Sequence, residues 1–173
     1  SLFCWLKSGK TNIIFLQETH CHSLEIEEKW KNEWGRSDES LWSRGTNHSR
    51  GVAVLFNFDC DYTVRNVVID KNVRYIYFEL NIYEHCYKMV NIYAPNDSKE
   101  RVIFFKGMSK WIDLNENNLV GGDYNCTQNS KIDRSNCNSL SNDEGRDVLF
   151  KLMNDKSLED VWRRRFPDLH SYT

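Results

Sequence analysis

Tyr62-Thr-Val-Arg-Asn-Val-Val-Ile69, Val73-Arg-Tyr-Ile-Tyr-Phe-Glu-Leu-Asn-Ile82 and Tyr87-Lys-Met-Val-Asn-Ile-Tyr93 are three successive runs rich in β-branched and aromatic residues. That composition is the one strands favour. Their separators, Asp70-Lys71-Asn72 and Glu84-His85-Cys86, are short enough for hairpins, so this part is expected to be antiparallel. Upstream, residues 11–17 (Thr-Asn-Ile-Ile-Phe-Leu-Gln) and Gly51-Val-Ala-Val-Leu-Phe56 are short apolar runs, expected of strands buried on both faces. Between them, Ser23 to Trp34 reads as a charged helix with Leu24, Ile26, Trp30 and Trp34 as its buried positions.

After Pro95 the pattern turns helical. Asp97 can cap a helix start with Glu100 three residues on, and Val102, Ile103, Phe105, Met108, Trp111 and Ile112 supply an apolar stripe. Asn118-Leu-Val-Gly-Gly-Asp123 reads as a further strand ending in a polar turn. Ser141 and Glu144 then open a helix whose core face is Val148, Leu149, Leu152 and Met153. Hairpins mixed with strand–helix units predict an α/β sandwich, with helices on the outer faces of two packed sheets. No repeat or Pro/Gly-rich linker interrupts the 173 residues, so one continuous domain over 1–173 is expected.

A hydrophobic share of 40% and a charged share of 28% are those of a globular chain, and no run approaches the ~18 apolar residues of a membrane span. With a net charge of -2 there is no global basic field for tight, non-specific nucleic-acid binding. That is compatible with an enzyme that meets its substrate briefly and brings its own divalent cation. Arg163-Arg164-Arg165, and Arg44 and Arg50 beside a polar loop, are local basic features, read as solvated faces rather than phosphate clamps. The six cysteines include no C-x-x-C pair and are expected to be free thiols. His20-Cys21-His22 suggests a metal site, but neighbours on a strand face opposite ways and no second ligand pair is evident. Structural or surface roles are expected there.

Three of the predicted strands end in groups that can handle metal or phosphate: Gln17-Glu18-Thr19-His20, Tyr93-Ala94-Pro95-Asn96 and Gly122-Asp123-Tyr124-Asn125. Loops at strand ends are where a rigid scaffold presents functional groups. In order and wording, Ile13-Ile-Phe-Leu-Gln-Glu-Thr-His20, Ser49-Arg-Gly-Val-Ala-Val-Leu-Phe56, Val90-Asn-Ile-Tyr-Ala-Pro-Asn96, Leu119-Val-Gly-Gly-Asp-Tyr-Asn125, and Asp160-Val-Trp-Arg163 followed by Ser171-Tyr-Thr173 span nearly the whole chain. Together they resemble the endonuclease–exonuclease–phosphatase superfamily, and most of all the endonuclease domain of non-long-terminal-repeat retrotransposons.

The resemblance implies a DNase I-like, four-layer sandwich of two packed mixed sheets flanked by helices, incomplete at both ends. It implies that Glu18 holds a Mg²⁺ (or Mn²⁺) ion, a cation usually bound by one or two carboxylates with waters and a substrate phosphate. It further implies that Tyr93 contacts the scissile phosphate, that Asp123 orients or deprotonates the attacking water, and that Asn125 steadies phosphate and metal. Thr173 takes the place of a family threonine. His20 is expected to support Glu18 and Asn96 to brace the tyrosine loop, while Asp133-Arg134 organises the loop after the catalytic turn. The family's first-strand Asn, its late Asp and its Ser-Asp-His ending have no counterpart here, so the chain is expected to be the middle of a longer protein. The implied activity is DNA nicking that leaves a 3′-hydroxyl to prime a reverse transcriptase carried in the same polyprotein, inside the cell (nucleus or cytoplasm). An apurinic-site repair endonuclease ranks second and a secreted lipid or inositol phosphodiesterase third. A non-catalytic relic is the alternative of a different class.

Overall fold

The computed structural model describes residues 2–9, 11–35, 39–46, 50–114, 116–127, 133 and 143–169. It divides into two compact units, Ser1–Tyr93 with Glu116–Asp123, and Ala94–Asn115 with Tyr124–Thr173.

The first unit holds helix α1 (Leu2–Ser8), strand β1 (Ile13–Gln17), helix α2 (Leu24–Trp34) and strands β2 (Ser40–Ser43), β3 (Val52–Phe56), β4 (Tyr62–Ile69), β5 (Tyr75–Ile82), β6 (His85–Tyr93) and β7 (Asn117–Asp123). The strands form an antiparallel sheet in the order β1-β3-β2 and a mixed sheet in the order β4-β5-β6-β7, in which only β6 and β7 run parallel. Central β3 is buried throughout, as expected of a strand covered on both faces. β1, expected to be equally buried, is only half-buried along its length because it is an edge of its sheet. The short strand β2 has no clear signal in Ser40-Leu-Trp-Ser43; its pairing with β3 creates it.

The hairpin expectation holds for β4, β5 and β6, with shifted turns. Tyr83 (φ 48°) and Glu84 (φ 66°) are the central turn residues, the backbone of a type I′ hairpin, so His85 and Cys86 belong to β6 rather than to the turn. Val73 lies in the preceding turn at φ 61° instead of opening the strand. A bulge in β4 between Arg65 and Val68 puts Asn66 at φ 51°, where its amide reaches the Glu79 carboxylate at 2.7 Å.

The two sheets pack face to face. Val52, Val54 and Phe56 of β3 meet Ile76, Phe78 and Leu80 of β5 and Met89 and Tyr93 of β6 in one buried cluster. Phe78 stands edge-on to Phe56 at 5.5 Å between ring centroids, and to Phe15 at 6.5 Å. Phe3, Trp34 and Cys21 cover the other side of β3 by packing on Ala53, Leu55 and Trp42. Helix α2 starts where the Ser23 hydroxyl accepts from the Ile26 N–H at 3.2 Å and stops at Gly35 (φ 113°), whose N–H returns to Lys31 O at 3.0 Å. Trp34 is buried as expected, but Leu24 faces solvent, and Glu27 is buried instead against Lys31 at 2.6 Å and Arg44 at 3.5 Å.

The second unit contains helix α3 (Ser98–Met108), a 3-10 turn (Ser109–Trp111), helix α4 (Glu144–Asp155) and helix α5 (Val161–Arg165). Asp97 caps α3 as predicted, its carboxylate accepting from Glu100 N–H at 2.9 Å. Phe105, Met108 and Ile112 are buried, whereas Ile103 of the expected stripe is exposed. Asp143 caps α4, accepting from the N–H groups of Gly145 (3.0 Å) and Arg146 (3.3 Å). Ser141, expected in that role, lies outside the described residues, and the observed cap replaces it.

The same carboxylate binds buried Arg101 at 2.8 Å and the Ser98 hydroxyl at 2.8 Å, joining α3 to α4. Arg101 also donates to Pro95 O at 3.1 Å and Asn96 O at 2.5 Å. Burial by itself raises the Asp143 pKa, but the hydrogen bonds from Arg101 and Ser98, the attraction to Arg101 and the Arg146 N–H outweigh it, holding the carboxyl below its ordinary range. A carboxyl held low in the folded state stabilises above the unfolded value of roughly 4, and that contribution is lost as pH falls through the folded value. Asp143→Ala, which strands Arg101, is therefore expected to cost about 3 kcal/mol at pH 7. In urea unfolding the gap from wild type should shrink below pH ~4; a gap independent of pH would refute this account.

Candidate active site

Just past Gln17, the last paired residue of β1, the backbone leaves the extended conformation: Glu18 has φ 50° and His20 φ 54°. The chain is still held to the strand beside it, because Thr19 N–H donates to Gly51 O at 3.1 Å and His20 N–H to Arg50 O at 3.2 Å. These bonds clamp the peptide on the far side of Glu18 while the left-handed turn swings the carboxylate into solvent. Gly51 is required here: its φ is 92°, and a Cβ would stand 2.5 Å from Thr19 Oγ1.

Tyr93 ends β6 with its ring in the core between the sheets, and its hydroxyl donates to Glu18 Oε1. Its own N–H donates to Arg74 O at 2.7 Å, so the β4–β5 turn braces the exit of the strand. Asp70 O accepts Val73 N–H at 2.9 Å and the Asp70 carboxylate accepts Arg74 N–H at 3.3 Å, which shapes that turn. Neither Arg74 nor Asp70 stood out in the sequence, since a hairpin turn says nothing about the strand end beside it. Asp123 ends β7 directly opposite Tyr93 in the parallel ladder. Gly122 permits that close approach: at φ 129°, a Cβ would fall 2.0 Å from Ile92 O. Within the first unit, then, the Glu18 carboxylate touches Tyr93 and Asp123 lies beside Tyr93, three groups that are remote in sequence.

The remaining predicted residues are placed as follows. Asn125 lies in the second unit at φ 49°, with its amide donating to Ala94 O at 2.7 Å. Asn96 is exposed, and its main-chain carbonyl is held by Arg101. His20 is exposed, and His22 Nδ1 donates to its carbonyl at 3.1 Å. Thr173, with Ser171, Tyr172 and Arg134, lies outside the described residues. Asp133 is paired with Arg163, which also donates to Leu169 O at 2.7 Å, while Arg164 pairs with Glu159. Two of the three consecutive arginines are thus engaged within the fold. Tyr124, between the two polar residues of its turn, stacks near Phe105 at 6.4 Å. Its phenol is pushed above its ordinary range by burial, then by the Asp160 and Cys126 charges.

Cys21 is wholly buried, and burial followed by the nearby Glu27 charge pushes its thiol up to about 11. Cys21 packs with Phe3, Trp34 and Trp42 in the apolar cluster that covers one face of β3. Among the described residues no group of three or more His, Cys, Asp or Glu side chains could hold a metal by itself. The donor set does fit a hard cation of the magnesium kind: an exposed carboxylate beside a hydroxyl suits an ion that keeps its waters and binds through one or two carboxylates and a phosphate.

Two sheets packed face to face are the architecture of the DNase I-like, endonuclease–exonuclease–phosphatase fold, and the chain has that fold. A solved structure of D. rerio TDP2 complexed with a single-strand DNA product matches it with a TM-score of 0.51 at 15% identity, over 76% of this chain and 54% of that one. The beta toxin of Staphylococcus aureus matches with a TM-score of 0.54 at 11% identity, over 93% of this chain and 62% of that one. By sequence, the chain is related to the transposon TX1 uncharacterized 149 kDa protein of Xenopus laevis, with 31% identity over 172 residues. The match takes in 98% of this chain and spans 13% of the length of that relative. No protein-family model matches the chain. No helix among the described residues is long and apolar enough to cross a membrane.

The clamp around Glu18 can be tested by Gly51→Ala. Left-handed strain for a residue with a Cβ costs of order 1–3 kcal/mol, and the contact with Thr19 adds to it. A fall in unfolding free energy of at least ~2 kcal/mol is expected by denaturant titration. Wild-type stability in this variant would show that the Thr19–Gly51 approach is not tight.

Proposed function

We propose that this chain is the greater part of one endonuclease–exonuclease–phosphatase-type domain, spanning 1–173, and that the longer protein it belongs to hydrolyses phosphodiesters of DNA with a divalent metal. The observation that carries the reading is the meeting of the Glu18 carboxylate with the Tyr93 hydroxyl, with Asp123 in register beside them. Glu18 would hold Mg²⁺ (or Mn²⁺), which supplies charge stabilisation to the phosphate and the leaving oxygen. Asp123 positions a water in line with the P–O3′ bond and takes its proton as the new P–O bond forms. With substrate bound, the single Tyr93 O–H turns from Glu18 to donate to a phosphate oxygen, and Asn125, by the family resemblance, steadies the phosphate. Thr173, by the family resemblance, contributes a further contact, with His20 supporting Glu18 and Asn96 the tyrosine loop. The P–O3′ bond breaks and the departing O3′ takes a proton from solvent, leaving a 5′-phosphate and a 3′-hydroxyl. Positioning and electrostatics do most of this work, as in phosphoryl transfer generally.

The relationship to a transposon protein supports a retroelement endonuclease over a repair enzyme. In that reading the 3′-hydroxyl primes a reverse transcriptase in the same polyprotein, in the nucleus or cytoplasm. The full-length protein should nick supercoiled plasmid with Mg²⁺ and leave ends that a polymerase extends directly. Asp123→Ala should lower the rate by roughly 10²–10⁴-fold. Glu18→Ala should lose a comparable amount and regain part of it at high metal concentration. Undiminished nicking in Asp123→Ala would refute the assignment. Absence of nicking by the wild type, on plasmid or abasic duplex, would favour a relic or a phosphodiesterase for another substrate.

A further inference from the structure

Among the described residues, the apolar packing between the two sheets contains one fully buried amide. Asn91 of β6 is 0% exposed and sits two residues before Tyr93, on the same face of the strand. A polar group so placed needs partners. Its Nδ2 donates to Ala53 O at 2.8 Å and to Leu16 O at 3.2 Å. Main-chain carbonyls can only accept, so these two bonds fix which way the amide points and leave Oδ1 as an acceptor. Gln17 Nε2 fills that role at 2.7 Å. One side chain of the mixed sheet therefore grips both β1 and β3 of the other sheet. Two of its three partners, Leu16 and Gln17, immediately precede Glu18.

Two links consequently join the end of β1 to the end of β6, one strand repeat apart. The inner link runs from fully buried Asn91 to half-buried Leu16 and Gln17; the outer one runs from Tyr93 to exposed Glu18. Apolar packing is non-directional and tolerates small slides of one sheet over another. Directional bonds from a buried amide do not. We infer that Asn91, acting with Gln17, is a positioning residue that sets where the Glu18 carboxylate stands relative to Tyr93. The inference rests on the proposed roles of Glu18 and Tyr93 in the reaction.

The test uses the full-length protein with Asn91→Leu and Gln17→Leu, alongside Glu18→Ala and Asp123→Ala. Both leucine variants should raise the Mg²⁺ concentration for half-maximal nicking by roughly 10–100-fold, the usual effect of removing a group that orients a metal ligand. Rates should recover at saturating metal, with KM for DNA unchanged. A ¹⁹F signal from 3-fluorotyrosine at position 93 supplies a readout independent of activity. It should shift in Gln17→Leu in the same direction as in Glu18→Ala. Asn91→Leu leaves two buried carbonyls without this donor and can fail to fold; Gln17→Leu loses one bond at a half-buried site and then decides the matter. Folded Gln17→Leu protein with wild-type metal dependence and an unmoved fluorine signal overturns the inference while leaving the site reading intact. Wild-type nicking in both Glu18→Ala and Asp123→Ala sinks the site reading, and the inference with it.

Discussion

The burial of β3 is the constraint on which the first unit depends. All five of its residues are shielded, so it needs partners in the sheet plane and cover on both faces. In the plane it has β1 and β2; on one face Phe78 and Met89 of the mixed sheet, and on the other Phe3 and Trp34 of the helices. Each large apolar side chain so buried contributes about 1.5–3 kcal/mol, and no surface bond in this unit is comparable. Because strands from both sheets end at one rim, the same packing carries the groups that follow them to that rim. Glu18 and Tyr93 meet there across the interface between the sheets.

Backbone conformation at the rim is correspondingly unusual. Glu18 and His20 adopt left-handed φ there. Such residues cost of order 1–3 kcal/mol unless, like Asn, they are tolerant of the region, and they persist only where their surroundings over-determine them. For Glu18 the surroundings are explicit: Thr19 and His20 bonded to Gly51 and Arg50 on one side, Gln17 bonded to Asn91 on the other, and Tyr93 on the carboxylate. The glycines serve the same end. Gly51 and Gly122 each stand where a methyl group would collide with a neighbouring strand or loop, and each is next to, or opposite, a candidate site residue.

Much of the architecture was legible as pattern. Runs of β-branched and aromatic residues located β4 to β6, the short apolar runs at 11–17 and 51–56 located β1 and β3, and the cap at Asp97 located α3. These signals are local: strand alternation, helical spacing and capping depend on residues a few positions apart. Legibility failed where the deciding partner was distant. The strand β2 exists through β3, Asp143 caps its helix while holding an arginine 42 residues away, and the buried Glu27 relies on Arg44. Asn91 had a readable sign, a polar residue in phase with Met89 and Tyr93 inside an apolar run, but its partners could not be named from that phase.

The sequence by itself determined which residues could carry chemistry and that they follow strands: Glu18, Tyr93, Asp123 and Asn125 stand at the ends of recognisable motifs in a recognisable order. Only tertiary structure decided that Glu18 reaches Tyr93, that Asp123 lies beside it in a parallel rather than antiparallel ladder, and that Asn91 and Arg74 brace them. The physical reason is that strand propensity and periodicity are properties of neighbouring residues. Register between strands, by contrast, is settled by side chains meeting across a core, some 75 residues apart for Glu18 and Tyr93.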